Sequence, residues 1–481
     1  MKRMMTILLL AALLLASCGN AQTGETTADP AETAAAQTET ETESPLDKLP
    51  AGDFGGADYH MLGDVNSNWW IISLYSEEMT GEIINDTVYE RNHYVEDLYN
   101  VTISHTETKQ AGNDIKASVQ SGTDEYDVVW ERLNQLITPA QSGQLYNLYD
   151  YDGFAFDAPW WDNDSVDALT INGKVFFACN DINVHTMEGC SAMYFSKTLA
   201  DINGLESPYT LVREGRWTLD KMAEMISVVI GDTNGNGARD QGDSFGLVTG
   251  IGQFLSLING AGDQLVIRES TSDGDTFTLH LADENVIGIT EKVCAILNDK
   301  DRTVIVNDDA WGYDSFYQDE SLFYIMQLGS VIGIRENMET NFGILPFPMK
   351  DEAQGYYTTS MEATAQAMCI PISAQETDMI EMVTEALAVY SDQYLIDAYY
   401  DTTLKGKIAR DEDTTEMLDI LTGSRTFDYA SVYGAWNVYN RFYPHVRKSG
   451  GSELASFAAS IQDSFDSSVA KTIEEYRKLE G

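Results

Sequence analysis

The sharpest chemistry in the sequence lies in one twelve-residue run, Asp232-Thr233-Asn234-Gly235-Asn236-Gly237-Ala238-Arg239-Asp240-Gln241-Gly242-Asp243. Oxygen-bearing side chains fall at positions 1, 3, 5, 9 and 12 of the run, with glycine at position 6. A hard cation such as calcium needs six or more oxygens around one centre, and this alternation with a sharp central turn is the EF-hand solution. The predicted ligands are Asp232, Asn234, Asn236, the Ala238 carbonyl, Asp240 and Asp243. Asp243 departs from the pattern, which places a bidentate Glu at position 12. Because the protein fills every ligand position, the expected role is a structural clamp. The same residues also read as a metal-free Asn/Gly/Asp surface turn.

A second reactive position is Cys18. Lys2 and Arg3 precede an apolar stretch from Met5 to Leu15, too short to span a bilayer, which needs about 20 apolar residues. A basic start, a short apolar core and small residues before a cut describe a secretory signal. Leu15-Ala16-Ser17-Cys18 resembles the lipobox of bacterial lipoproteins. The resemblance implies a diacylglycerol (palmitate-type) anchor on the Cys18 sulfur and removal of the signal peptide, residues 1–17. An ordinary secretory cut beside an incidental cysteine is the other reading. Residues 18–52 contain no aromatic residue and are dominated by Thr, Ala and Glu, so they cannot bury enough apolar surface to order themselves. They read as a polar tether holding a globular body near a membrane surface.

Enzyme motifs are absent from the sequence. Lys405-Gly406-Lys407 lacks the upstream glycine of a phosphate-cradling loop, no HExxH occurs, and no GxSxG elbow is present. The six histidines show no metal-ligand spacing. Two carboxylates suffice for a glycosidase, so 77 acidic residues exclude nothing there. The reading is of a protein that is not an enzyme.

The elements that position these residues are mixed α/β. Tyr126-Asp127-Val128-Val129-Trp130 reads as a buried strand. Leu169–Ile171 and Lys174–Phe177 flank Asn172-Gly173, a strong hairpin-turn signal. Thr218 reads as the N-cap of a helix over 218–230 with Met222, Met225, Ile226 and Val229 on one face. From Glu453 to Leu479 apolar residues recur every three or four positions, which predicts a long amphipathic helix. Cys179, Cys190, Cys294 and Cys369 form no CxxC pair and read as buried free thiols, with a Cys179–Cys190 bond left open.

With 29 Lys+Arg against 77 Asp+Glu the formal charge is −48, which excludes a general nucleic-acid binder. No basic cluster is visible along the chain, which argues against phosphate or another anion as ligand. The 8 Trp and 25 Tyr suit a carbohydrate, whose C–H faces pack on aromatic rings.

Read together, the segments resemble extracellular solute-binding proteins of ABC importers, most of all the sugar-binding family 1 group. The motifs are Tyr126–Trp130, Gly143–Leu148, Leu169–Lys174, Met193–Lys197, Trp217–Asp220, Phe342–Pro348 and Ala367–Pro371. The resemblance implies an α/β, two-lobed periplasmic-binding-protein-like fold (type II) with hinge strands and a ligand cleft between the lobes. It places lobe 1 at 53–192 plus 372–400 and lobe 2 at 193–371 plus 401–481. It implies a monomeric, lipid-anchored receptor on the extracytoplasmic face of a bacterial plasma membrane, passing a carbohydrate, as an oligosaccharide, to an ABC permease. Loops after strands are the places to look for such a site. They give Trp69 (in Asn66–Trp70), Arg132, Asp181, Trp311, Glu362 and Trp436 as candidate ligand-binding residues. Trp160-Trp161 reads equally as part of such a site and as a lobe-packing wedge. A peptide or polyamine receptor of the same fold, and a surface-anchored polysaccharide-active enzyme, are the alternatives.

Overall fold

Three strands open the folded body, the third with an almost fully buried apolar run and the second, at the sheet edge, partly exposed. They are β1 (Ala57–Asp64), β2 (Val101–Thr108) and β3 (Val128–Arg132). The computed structural model describes residues 44–65, 73–250, 252–400 and 412–479. Helix α1 (Ile83–Tyr99) crosses from β1 to β2, and its end at Asn100 takes the left-handed conformation (φ 51°) that stops a helix sharply. Helix α2 (Ala111–Ser121) crosses from β2 to β3, and α3 (Leu133–Gln141) starts directly after β3. β1 lies between β2 and β3, parallel to both.

The chain then leaves this sheet for β4 (Ser191–Ser196) and β5 (Phe245–Thr249). A hairpin of β6 (Val266–Thr271) and β7 (Gly274–Leu279) precedes β8 (Thr303–Ile305), β9 (Ser321–Gln327) and β10 (Phe342–Leu345). The second sheet runs β10-β4-β9-β5-β8, with β5 parallel to β8 and β9. Returning through β11 (Thr359–Ser360), the chain adds β12 (Gln366–Cys369) antiparallel to β3, completing the first sheet as β12-β3-β1-β2. A last short strand, β13 (Arg425–Thr426), pairs with β11. Two α/β lobes, each with its own sheet, follow from this path. β12 belongs to the first sheet, so the return crossing precedes Gln366; the boundary expected at residue 371 lies too late. β4 belongs wholly to the second sheet, which moves the first crossing from 192 to before Ser191.

Several local readings hold. The expected strand at 126–130 is β3, two residues later. Thr218 caps the helix Leu219–Ile226 by accepting the Lys221 N–H, with Met222, Met225 and Ile226 buried; the helix ends four residues before the expected 230. The helix Leu454–Lys478 buries Leu454, Ile461, Phe465, Val469 and Tyr476. The four cysteines of the described residues are free and buried.

The hairpin at 169–177 does not form. Asn172 and Gly173 adopt the turn (φ 51° and 73°), but Ile171 and Lys174 make only an isolated bridge, and Asn163–Leu169 is helical. Tertiary bonds override the local signal. The Asn172 N–H donates to Asp275 Oδ2 at 2.6 Å, and the Asp275 N–H donates back to Asn172 Oδ1 at 2.8 Å, pinning this turn to the β6–β7 hairpin.

Candidate functional site

The carboxyl ends of β3 and β5 each run into a helix, and the return segment after β11 passes between them. These three pieces wall a cavity of about 430 Å3. Asn134 and Gln135 come from the first turn of α3, and Gly252, Leu255 and Ser256 from the entry to the helix Gln253–Gly260. Ser360, Met361, Glu362 and Thr364 come from the return segment, and Ser431, Tyr439 and Asn440 from the C-terminal part. The α3 end is fixed to the return segment, since the Leu133 and Asn134 N–H groups donate to the Ala365 and Ala363 carbonyls.

Glu362 is the one carboxylate of this wall. Its Oε1 accepts from Gln253 Nε2 at 2.7 Å and from Ser191 Oγ at 3.1 Å, and Ser191 Oγ in turn contacts Ser256 Oγ at 2.9 Å. Burial raises its pKa, against the lowering effect of the Gln253 and Ser191 bonds. Burial, helped by the Glu362 charge, also raises the Tyr439 hydroxyl. Hydroxyls, amides, one carboxylate and one phenol offer directed hydrogen bonds to a polar, uncharged surface.

The profile of the bacterial extracellular solute-binding proteins matches residues 92–390, more than half of the sequence. The chain belongs to that family. Solved structures agree on the fold. The maltose-binding periplasmic protein MalE of Listeria monocytogenes, in complex with maltose, is 14% identical with a TM-score of 0.54, covering 88% of this chain and 99% of that one. UgpB of Mycobacterium tuberculosis, in complex with glycerophosphocholine, is 18% identical with a TM-score of 0.52, covering 87% and 99%. An ABC substrate-binding protein of Listeria monocytogenes, in complex with cycloalternan, is 10% identical with a TM-score of 0.51, covering 88% and 99%. No curated protein sequence matches the chain. As an extracellular solute-binding protein it works outside the cytoplasm, and no helix among its described residues is long and apolar enough to cross a membrane.

In this solute-binding protein the six candidate ligand residues separate. Glu362 lines the interlobe cavity. Arg132 lines a neighbouring one, with Nε 3.2 Å from Asp64 Oδ2. Trp69 lies outside the described residues, as do Asn66, Asn68, Trp70 and Cys18. Trp436 is a core residue, 2% exposed: it stacks on Tyr433 at 4.6 Å, meets Phe277 edge-on, and donates its indole N–H to Thr472. Trp311 lies away from the cleft too, tilted against Phe245 and under the guanidinium of Arg239, a residue of the 232–243 loop. Asp181 donates its N–H to the Trp160 carbonyl and adds negative charge near the partly buried Arg425, which pairs with Asp162. Trp160 and Trp161 both donate to Glu385, so that pair packs within lobe 1. Asn134, Gln135 and Gln253 were missed; each lies within four residues of a strand end, the signal that could have found them. Tyr439 and Asn440 carry no such mark.

The 232–243 loop is closed at its base by pairing of Gly231 with Ser244. Asp232 accepts the N–H groups of Gly235, Asn236 and Gly237, and the Asn234 and Asn236 amides donate to Asp240. Asp243, 4% exposed, accepts the Asp240 N–H on Oδ2, while its Oδ1 has no partner among the described residues. Among those residues no three His, Cys, Asp or Glu side chains gather as a metal would require. The oxygens of Asp232, Asn234 and Asn236 accept backbone N–H groups of the loop itself, and the buried Asp243 Oδ1 is the oxygen left over for a hard cation.

Proposed function

We propose that this solute-binding protein captures a carbohydrate, as an oligosaccharide, and delivers it to an ABC permease. The observation that carries the reading is the chemistry of the interlobe cavity: its walls are hydroxyls and amides around Glu362 and Tyr439, with no Lys or Arg. The cavity lies in the size class of small-ligand pockets, about 300–1,000 Å3, and its directed hydrogen-bonding groups stand among apolar ones such as Leu255 and Met361, a mixture that suits the hydroxyls and C–H faces of a sugar. The solved relatives with maltose and with cycloalternan support the same reading. Capture is closure of the two lobes on the solute, a hinge motion in which no bond is made or broken. Cys18 carries the lipid that holds a monomeric receptor at the outer face of the plasma membrane, and calcium fills the 232–243 loop, completing its shell with Asp243 Oδ1.

A thermal-shift screen of the full chain tests this against mono- and oligosaccharides, peptides and polyamines, with calcium and with chelator. A ligand at 100 times its dissociation constant stabilises the fold by about 2.7 kcal/mol, a clear shift. Shifts confined to peptides or polyamines overturn the carbohydrate; release of product from a polysaccharide overturns the receptor. An unchanged melting temperature under chelator overturns the calcium. Labelled palmitate incorporated by the wild type and lost in Cys18→Ser checks the anchor.

A further inference from the structure

Next to the interlobe cavity, on the same carboxyl edge of the first sheet, α2 and α3 wall a second cavity of about 410 Å3. Along the chain its cations look scattered, yet the fold brings Lys109, Lys116 and Arg132 to this one space. Lys109 follows β2, Lys116 lies on α2, and Arg132 ends β3.

Arg132 is held in place. Its Nε lies 3.2 Å from Asp64 Oδ2 and 3.4 Å from Glu131 Oε1, and both carboxylate side chains are at most 3% exposed. Glu131 is itself fixed, accepting the Gly112 N–H on Oε2 at 3.1 Å and the Arg132 N–H on Oε1 at 2.8 Å. Both carboxylates engage the guanidinium through Nε, so Nη1 and Nη2 take no partner among the described residues, and a quarter of the side chain remains open to solvent. A guanidinium fixed on one side presents a planar fork on the other, the geometry that matches carboxylate and phosphate oxygens. Lys109 and Lys116 are exposed and form no ion pair among the described residues. The remaining walls include the side chains of Gln110, Asn113, Gln135 and Gln144, which add neutral donors.

Two cations in excess of one are needed here because Asp64 and Glu131 offset part of the charge. The three cations against those two carboxylates leave the cavity net positive in a chain whose formal charge is −48. Charges more than about 8–10 Å away are largely screened at physiological salt, so the local sign decides what the cavity takes. Gln135 lines both cavities, so the two are direct neighbours.

We propose that the space between α2 and α3 is an anion subsite of the solute cleft, taking a carboxylate, sulfate or phosphate carried by the captured carbohydrate. The assignment rests on the carbohydrate reading for the rest of the ligand, and it corrects the expectation that no anion would be accepted.

Acetylation footprinting of the full chain, with inorganic phosphate and separately with glucuronate, tests it without knowledge of the natural solute. The expected result is selective slowing at Lys109 and Lys116, with the exposed Lys48 and Lys300 unaffected, and loss of that protection in high salt. Phosphate affinity by titration should fall about tenfold in the Lys109→Gln/Lys116→Gln double variant, the loss of charge-assisted hydrogen bonds. Both substituted positions are exposed, so the variant keeps its fold, checked by an unchanged melting temperature. Protection by phosphate alone assigns a phosphoryl or sulfate group; protection by both admits a carboxylate. Equal slowing of all four lysines, or none, overturns the subsite. Should phosphate protect while every sugar in the thermal screen fails, the subsite stands and the carbohydrate reading falls.

Discussion

Asp127 offers a direct test of the electrostatics of the first lobe. It sits at the amino end of β3, 6% exposed, and its Oδ2 accepts the His60 N–H at 2.7 Å. Burial, against that bond and with the charges of Asp124, Asp58 and Glu376 nearby, pushes its pKa from the ordinary 3.8 up to about 7. A carboxyl that is a weaker acid in the folded state binds a proton that the unfolded chain has lost. Stability contributed by the protonated form is therefore present in acid and lost as pH rises between 3.8 and about 7. At 1.36 kcal/mol per pH unit, the full loss above pH 7 is about 4 kcal/mol, and about 3 kcal/mol of it falls between pH 5 and pH 8. In Asp127→Asn the amide oxygen still accepts from His60, and the ionisation is gone. Urea unfolding of both proteins from pH 5 to pH 8 should show the variant more stable at pH 8, with the gap closing as pH falls toward 5. Arg132 stands at the opposite end of the strand, so solute affinity should not change. Parallel pH profiles for the two proteins, or a variant less stable at pH 8, would refute the reasoning.

Further expectations concern the site and the core. Glu362→Gln keeps an oxygen for Ser191 and Gln253 but removes the charge, and should weaken solute binding by about 10–100-fold in calorimetry with little change in melting temperature. Trp436→Ala should do the reverse: about 3–5 kcal/mol lost in denaturant unfolding, with affinity per folded molecule unchanged. Ellman's reagent should find the thiols of Cys179, Cys190, Cys294 and Cys369 unreactive until denaturant is added, since all four are buried and burial raises the pKa of each.

The fold was legible where local signals and burial agreed. β3, the Thr218-capped helix and the helix Leu454–Lys478 all carry apolar patterns that match what they bury. The hairpin expected around Asn172-Gly173 failed because its bonding is settled by Asp275, about a hundred residues away. The site was legible only in part, for a similar reason. Glu362 was found from its loop position, whereas Asn134, Gln135 and Gln253 were missed although each lies shortly after a strand end. An aromatic residue such as Trp436 or Trp311 looks the same in sequence whether it stacks on a ligand or on Tyr433 and Arg239. Lys109, Lys116 and Arg132 form a cluster only once β2 and β3 lie on either side of β1.

The late return of β12 bears on how the polypeptide is made. β3 pairs with β1 on one side as soon as both are released, but its other edge waits for Gln366–Cys369, more than two hundred residues further on. During synthesis and export that edge presents unpaired backbone N–H and C=O groups on a strand whose Val128, Val129 and Trp130 are destined for the interior. Contacts so distant in sequence form slowly. A nascent chain stalled before residue 366 would therefore carry an unpaired, aggregation-prone strand edge until its second crossing is complete.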